Sequence, residues 1–199
     1  MKNDVITVSK IAVASDHAGY KLKNDIIGVL KGKGIEILDL GADSEESVDY
    51  PDYGLALANS IITGKVDKGI AICGTGIGIS IAINRHIGVR AALCNDSDSV
   101  ILARKHNNAN VLAMGARSIN TDTAKDCLEA FLCTSFEGNR HERRVSKLDA
   151  KRVCSEIEDK NKKDYNNFNE TLNKAIEDER DRQENSVELI ASENFVSKN

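Results

Sequence analysis

The sequence predicts an α/β fold: a parallel five-stranded sheet between two layers of helices, followed by a helical C-terminal extension. Three observations predict it. Residues 10–134 alternate short apolar runs with helix-length amphipathic stretches. The joining segments are short, which suits a parallel sheet covered on both faces. After about Arg152 the composition shifts to highly charged and Asn-rich, which marks the end of the domain.

The elements follow in order. Ile11–Ala14 reads as the first strand, and Leu22, Ile26 and Leu30 stack at spacing four on the helix behind it. Ile35–Leu38 is the second strand. Pro51 suits the first turn of a helix running through Leu55, Ala58 and Ile62. Gly69–Cys73 is the third strand, Ile77–Asn84 the helix after it, and Val89–Cys94 the fourth strand. Asp96–His106 is helical, Val111–Met114 is the fifth strand, and Thr121–Leu132 is a further helix. A late helix begins at Gly138–Arg144. The domain is expected over residues 1–155 and the charged helical extension over 156–199, where Phe168, Leu172, Ala175 and Ile176 form one weak stripe.

Bulk properties remove several classes of function. A net charge of -4 gives no general field for nucleic acid or anionic lipid, so an anion site must be local. Met1–Lys10 has no apolar core of a secretory signal, and no run approaches membrane-spanning length. Five cysteines without a C-x-x-C pair read as free thiols in a reducing cytoplasm.

In an open parallel sheet, ligands bind beyond the C-terminal ends of the strands. The segment after the third strand is Cys73-Gly74-Thr75-Gly76-Ile77-Gly78-Ile79-Ser80. Alternating glycines between strand and helix let backbone N–H groups converge on an anion. The dinucleotide fingerprint fails at Ile79, and no Gly-Lys-Ser/Thr follows to make a nucleoside-triphosphate loop. A tight structural turn explains the glycines equally well. Cys73 adds a group able to act as base or nucleophile beside the positive end of a helix. Cys94, Cys127, Cys133 and Cys154 read as structural.

Other strand ends carry further candidates. Ser15-Asp16-His17-Ala18-Gly19 places an acid and an imidazole after the first strand, where Asp16 could equally cap the next helix. His106 and Asn107 precede the fifth strand, and Arg117 follows it. Arg140 and Arg144, four apart, share a helix face that suits a phosphate dianion or, alternatively, solvent and the carboxylates of Glu137 or Glu142.

Together, five ordered motifs over about residues 10–152 resemble the B-type ribose-5-phosphate isomerase family, which includes allose- and galactose-6-phosphate isomerases. They are Ser-Asp-His-Ala-Gly at 15–19, Asp-Tyr-Pro-Asp-Tyr at 49–53, Ile-Cys-Gly-Thr-Gly-Ile-Gly-Ile-Ser at 72–80, His-Asn-Asn-Ala-Asn-Val at 106–111 and Gly-Asn-Arg-His-Glu-Arg-Arg at 138–144. The resemblance implies a Rossmann-like α/β/α subunit, a phosphorylated sugar as substrate, and no metal or organic cofactor. It implies a homodimer, or a tetramer built from it, with sites at the subunit interface.

Position by position, the resemblance makes Cys73 the base that moves a proton between the first two sugar carbons. The backbone of Gly74, Gly76, Ile77 and Gly78 holds the enediolate oxygens, and Thr75 adds its hydroxyl. His106, with Asp16, assists ring opening. Asn107 binds the sugar, and His17, Arg117, Arg140 and Arg144 bind phosphate. Relatives without the cysteine carry a glutamate where this chain has Ile79, so the chain follows the cysteine branch. A 6-phosphohexose isomerase and a non-catalytic sugar-phosphate sensor are the competing readings.

The extension departs from that pattern. Arg182–Phe195, within about residues 164–199, resembles the N-terminal segment of serine hydroxymethyltransferase. The pyridoxal-phosphate lysine and large domain of that enzyme are absent, so a second activity is not expected and the segment reads as an appendage.

Overall fold

A computed structural model describes residues 9–149, all within one compact unit, Met1–Ala150. The extension and its resemblance at 164–199 lie outside the described residues. Five strands, β1 (Lys10–Ser15), β2 (Glu36–Asp39), β3 (Lys68–Cys73), β4 (Ala91–Leu93) and β5 (Val111–Gly115), form one sheet in the order β2-β1-β3-β5-β4. Every pairing is parallel. The helices are α1 (Tyr20–Gly32), α2 (Tyr50–Ile62), α3 (Ile77–Ile83), α4 (Ser97–Asn107), α5 (Thr121–Cys133) and α6 (Arg140–Asp149).

Alternation along the strands divides the core into two layers. Ile11, Val13, Ile70, Ile72, Leu112 and Met114 face α1 and α5, where Ile26, Leu30, Leu128 and Phe131 meet them. Ala12, Ala14, Ala71, Cys73, Val111 and Ala113 face α2 and α3. The second set is small, so α2 and α3 approach closely. At Gly69 the approach is closest, since a Cβ there would lie 2.8 Å from Leu57 Cδ2. Cys73 therefore belongs by register to the α2–α3 side.

The fourth strand is shorter than the sequence predicts. Val89 N–H turns back to His86 O instead of entering the sheet, and β4 pairs only with β5 at the sheet edge. Asp96 caps α4 rather than starting it, its carboxylate accepting from Ser99 N–H at 2.7 Å. The late helix starts at Arg140, because Gly138 and Asn139 take left-handed backbone angles (φ 65° and 50°).

At the opposite end of β3, Lys68 is half-buried against Phe131 and Arg104. Burial first, and then the Arg104 charge, lower its pKa from 10.5 to about 8. A base depressed in the folded state destabilises below that value, and stability returns as pH rises from about 8 towards 10.5. Lys68→Met should thus raise stability at pH 7 by about 1 kcal/mol, the shift being discounted for solvent screening. Denaturant titrations should show that advantage shrinking above pH 8; an advantage independent of pH would assign it to packing alone.

Candidate active site

The strand order reverses between β1 and β3, and this switch point opens a crevice beyond their C-terminal ends. A cavity of about 250 Å³ lies there, lined by Asp16, His17, Ala18, Tyr50, Cys73, Gly74, Thr75, Gly78 and Arg117. Three strand ends and one helix start supply these residues: β1 brings Asp16 and His17, β3 brings Cys73 to Gly78, β5 brings Arg117, and α2 begins at Tyr50.

The glycine loop takes its shape from contacts at each glycine. Gly76 has φ 76°, and a Cβ there would stand 2.4 Å from Leu93 Cδ1 and 2.8 Å from the Met114 backbone. This left-handed turn sends the Gly76 N–H back to Cys73 Sγ at 3.0 Å. Ile77 N–H leans towards Thr75 Oγ1 at 3.4 Å. The N–H groups of Gly74, Thr75 and Gly78 have no protein acceptor among the described residues, and all three residues line the cavity. A side chain at Gly74 would press on the Arg117 guanidinium, 3.1 Å from Nη1. Arg117 N–H in turn donates to Gly74 O at 2.9 Å. Backbone donors, a thiol and a guanidinium are thus fixed around one small space.

Asp16 meets both placements the sequence left open, as a cap and at the cavity wall. It is buried, its carboxylate accepts from Gly19 N–H at 3.0 Å, and it lines the cavity. His17 is oriented from a distance in sequence: its Nδ1 lies 3.1 Å from Val48 N and 3.2 Å from Val48 O. Cys94 and Cys127 are buried thiols pushed up to about 11 by burial, then by neighbouring groups. Neither resembles Cys73 in having a cavity before it.

His106, Asn107, Arg140 and Arg144 do not line this cavity in the single chain. They gather elsewhere, at the end of α4 and the start of α6. His106 stacks on His141 there, with Glu137 beside both. Arg140 and Arg144 are exposed and pair with no carboxylate among the described residues. Within one chain Asp16 therefore borders the cavity with Cys73, and His106 lies apart from both.

Two arginines that the sequence reading missed hold the His106–Asn107 segment. After Asn107 the chain turns through Asn108 at φ 47°. Arg104 Nη1 donates to Asn108 Oδ1 at 3.0 Å and to Ala109 O at 2.6 Å. Arg90 Nε donates to Asn108 O at 3.1 Å, and Arg90 Nη1 pairs with Asp149 of α6 at 2.9 Å. Tyr50 is a further cavity residue that the sequence reading used only as part of a motif. No apolar periodicity marks such residues: Arg90 reaches across to Asn108 and Asp149, and Arg104 folds back on the end of its own helix and across to Thr134.

With the geometry in place, the comparisons agree on one family. The sequence profile described as Ribose/Galactose Isomerase matches residues 11–148. The chain is 44% identical over 143 residues to ribose-5-phosphate isomerase B of Escherichia coli, covering 72% of this chain and 96% of that one. A crystal structure of a ribose 5-phosphate isomerase from Thermotoga maritima superposes with TM-score 0.70 at 52% identity, covering 72% of this chain and 98% of that one. A structure of ribose-5-phosphate isomerase B from Mycoplasma genitalium with bound ribulose-5-phosphate gives TM-score 0.68 at 39% identity, covering 70% and 93%. The match stops short of the extension, and no described helix is long and apolar enough to cross a membrane. A thiol under a ring of backbone donors, set at the switch point of a five-stranded parallel sheet, is the setting in which this sequence match falls, and the chain belongs to the ribose/galactose isomerase family.

Proposed function

We propose that the protein interconverts ribose 5-phosphate and ribulose 5-phosphate through an enediolate, with Cys73 as the base. The observation that carries the reading is the Cys73 cavity with its unpartnered backbone N–H groups, in a chain so similar to ribose-5-phosphate isomerases. In the open-chain aldose, Cys73 takes the proton from C2. The C2–H electron pair forms the C1=C2 bond, and the C1 carbonyl pair moves to O1, which gains a proton. The proton on O2 then leaves, C2=O forms, and Cys73 returns its proton to C1. Charge on O1 and O2 grows in the transition state, where the N–H groups of Gly74 and Gly78, with the Thr75 hydroxyl, stabilise it; the N–H groups of Gly76 and Ile77, which rest on Cys73 Sγ and Thr75 Oγ1, join them only by exchanging those acceptors for the sugar oxygens.

Phosphate is held at the polar end of the cavity by His17 and Arg117, completed by Arg140 and Arg144 from a second copy of the chain. Asn107 of that copy binds the sugar and His106 opens its ring. A homodimer is favoured by the separation of the two residue groups within one chain. It is also favoured by the exposed apolar side chains Ile77 and Ile81, one turn apart on α3 at the mouth of the Cys73 loop. The working compartment is the cytoplasm.

Incubation with ribose 5-phosphate should yield ketose, with allose 6-phosphate a much poorer substrate. Binding of ribose 5-phosphate without turnover would favour a sensor instead. Arg144→Ala should raise KM for ribose 5-phosphate by about 10- to 100-fold, the usual worth of a hydrogen bond to a charged group. Free ribose, already a poor substrate, should lose little more; an equal loss on both would make the arginine structural.

The extension, taken as residues 156–199, is an appendage to this unit, its likeness to serine hydroxymethyltransferase notwithstanding. The family match ends at residue 148. A chain ending at Glu156 should keep its activity and unfold in one cooperative step. Aggregation of the shortened chain would show that the extension covers part of the core.

A further inference from the structure

One side chain at the start of α6 turns inward. His141 is 5% exposed, whereas Arg140 and Arg144 beside it face solvent. Its ring lies on that of His106, with centroids 4.4 Å apart and planes 7° from parallel. The end of α4 and the beginning of α6 are thereby joined through one stacked pair. Glu137 closes the group, its Oε2 standing 4.0 Å from His106 Nε2 and 3.9 Å from His141 Nε2.

The hydrogen bonding fixes the state of the inner ring. Arg140 Nε donates to His141 Nε2 at 3.2 Å, so that nitrogen is an acceptor and the ring is neutral. Burial, His106 and the guanidinium groups of Arg140 and Arg144 all lower the pKa of His141 from its ordinary value, and only Glu137 opposes them. Donor atoms of His106, Glu137 and His141 all lie within 4.8 Å of one another, the spacing of a metal site. Parallel rings, however, aim their lone pairs side by side instead of at one point, and Arg140 already uses that of His141. The cluster is built for orientation, not for a cation.

We propose that His141 is the positioning residue for His106: anchored in α6, its neutral ring fixes the plane in which the His106 imidazole meets the sugar. The proposal rests on the reading of His106 as the ring-opening group. In that step the C1 hydroxyl loses its proton, the C1–O4 bond breaks with its electron pair passing to O4, and O4 gains a proton. An imidazole can serve one of these transfers only in a narrow range of ring orientations. The His106 side chain is 36% exposed at the end of a helix, where an unstacked ring would sample several rotamers. Stacking on a buried partner removes that freedom before the sugar arrives.

Two variants separate ring plane from bulk. His141→Phe keeps a flat partner, and His141→Leu fills the same slot without one. The Phe variant should hold kcat for ribose 5-phosphate within about 3-fold, and the Leu variant should lose about 10- to 100-fold in kcat with KM little changed. Equal kcat in the two variants would overturn the proposal, and so would a Leu defect confined to KM, which belongs to a phosphate ligand. His106→Ala is measured alongside. If it retains most of kcat, the ring-opening reading fails and the positioning role with it; if it is impaired while His141→Leu is not, only the positioning role fails. Nitrogen-15 spectra of the wild-type histidines give a check that needs no variant. His141 should stay neutral at a pH where a free imidazole is already largely protonated, and protonation like that of a free imidazole would also overturn the proposal.

Discussion

Cys73→Ala abolishes isomerisation, with kcat down by at least about 10⁴-fold and the affinity for ribose 5-phosphate within a few-fold of wild type. This is the expected result if the thiol moves the C2 proton. Asp16 and His17, the other proton-accepting side chains of the cavity, are held by Gly19 and Val48 and belong to the first strand end, not to the glycine loop. On the proposed reading, affinity comes largely from groups that do not move protons, notably Arg117 and the arginines of α6. The substitution removes one buried sulfur and leaves Gly76 N–H without its acceptor, a change the loop tolerates because Gly76, Gly74 and Gly115 are held by close contacts of their own. Steady-state rates with binding of ribose 5-phosphate by calorimetry supply both numbers. Retention of most of the wild-type rate would remove Cys73 from the mechanism.

The second large effect is complementation. Homodimers of Cys73→Ala lack a base in both sites, and homodimers of His106→Ala have two sites with impaired ring opening. If each site takes Cys73 from one subunit and His106 from the other, a mixed dimer gathers both lesions into one site and leaves the other intact. Random exchange should then restore about a quarter of wild-type activity from two weak parents, because half the dimers are mixed and each has one sound site of two. Mass spectrometry verifies the exchange. A rate equal to the mean of the parents after complete exchange would mean that the His106 segment serves its own subunit.

Most members of the candidate site were legible in the sequence, and the resemblance already implied a site shared between two subunits. Strand ends could be read from apolar runs, and the loop at 73–80 from its glycines, because each signal lies within a few neighbouring positions. Asp16 allowed two placements and occupies both, since a cap residue at a strand end can also line the crevice it borders. The fourth strand was overextended because Val89 is apolar yet turns at a sheet edge, where pairing and not hydrophobicity sets the limit. Arg90, Arg104 and His141 went unread for a different reason. Their partners lie at Asn108, Asp149, Thr134 and His106, on other elements, and no periodicity encodes contacts of that kind. The inward turn of His141 among exposed charged neighbours follows from the start of α6 at Arg140, which depends on two left-handed residues before it.

The attachment of α6 has a consequence for how the protein yields to heat. Among its described residues only His141 and Val145 are buried, and the Arg90–Asp149 pair holds its far end. The sheet, by contrast, is enclosed by two full apolar layers. Opening of α6 alone therefore requires far less free energy than global unfolding. Amide exchange should detect it first, with α6 protons exchanging well before those of β1, β3 and β5. On warming, phosphate grip and ring opening would fade while the sheet and its Cys73 loop stay folded, so catalysis should fail at a temperature below the melting of the domain.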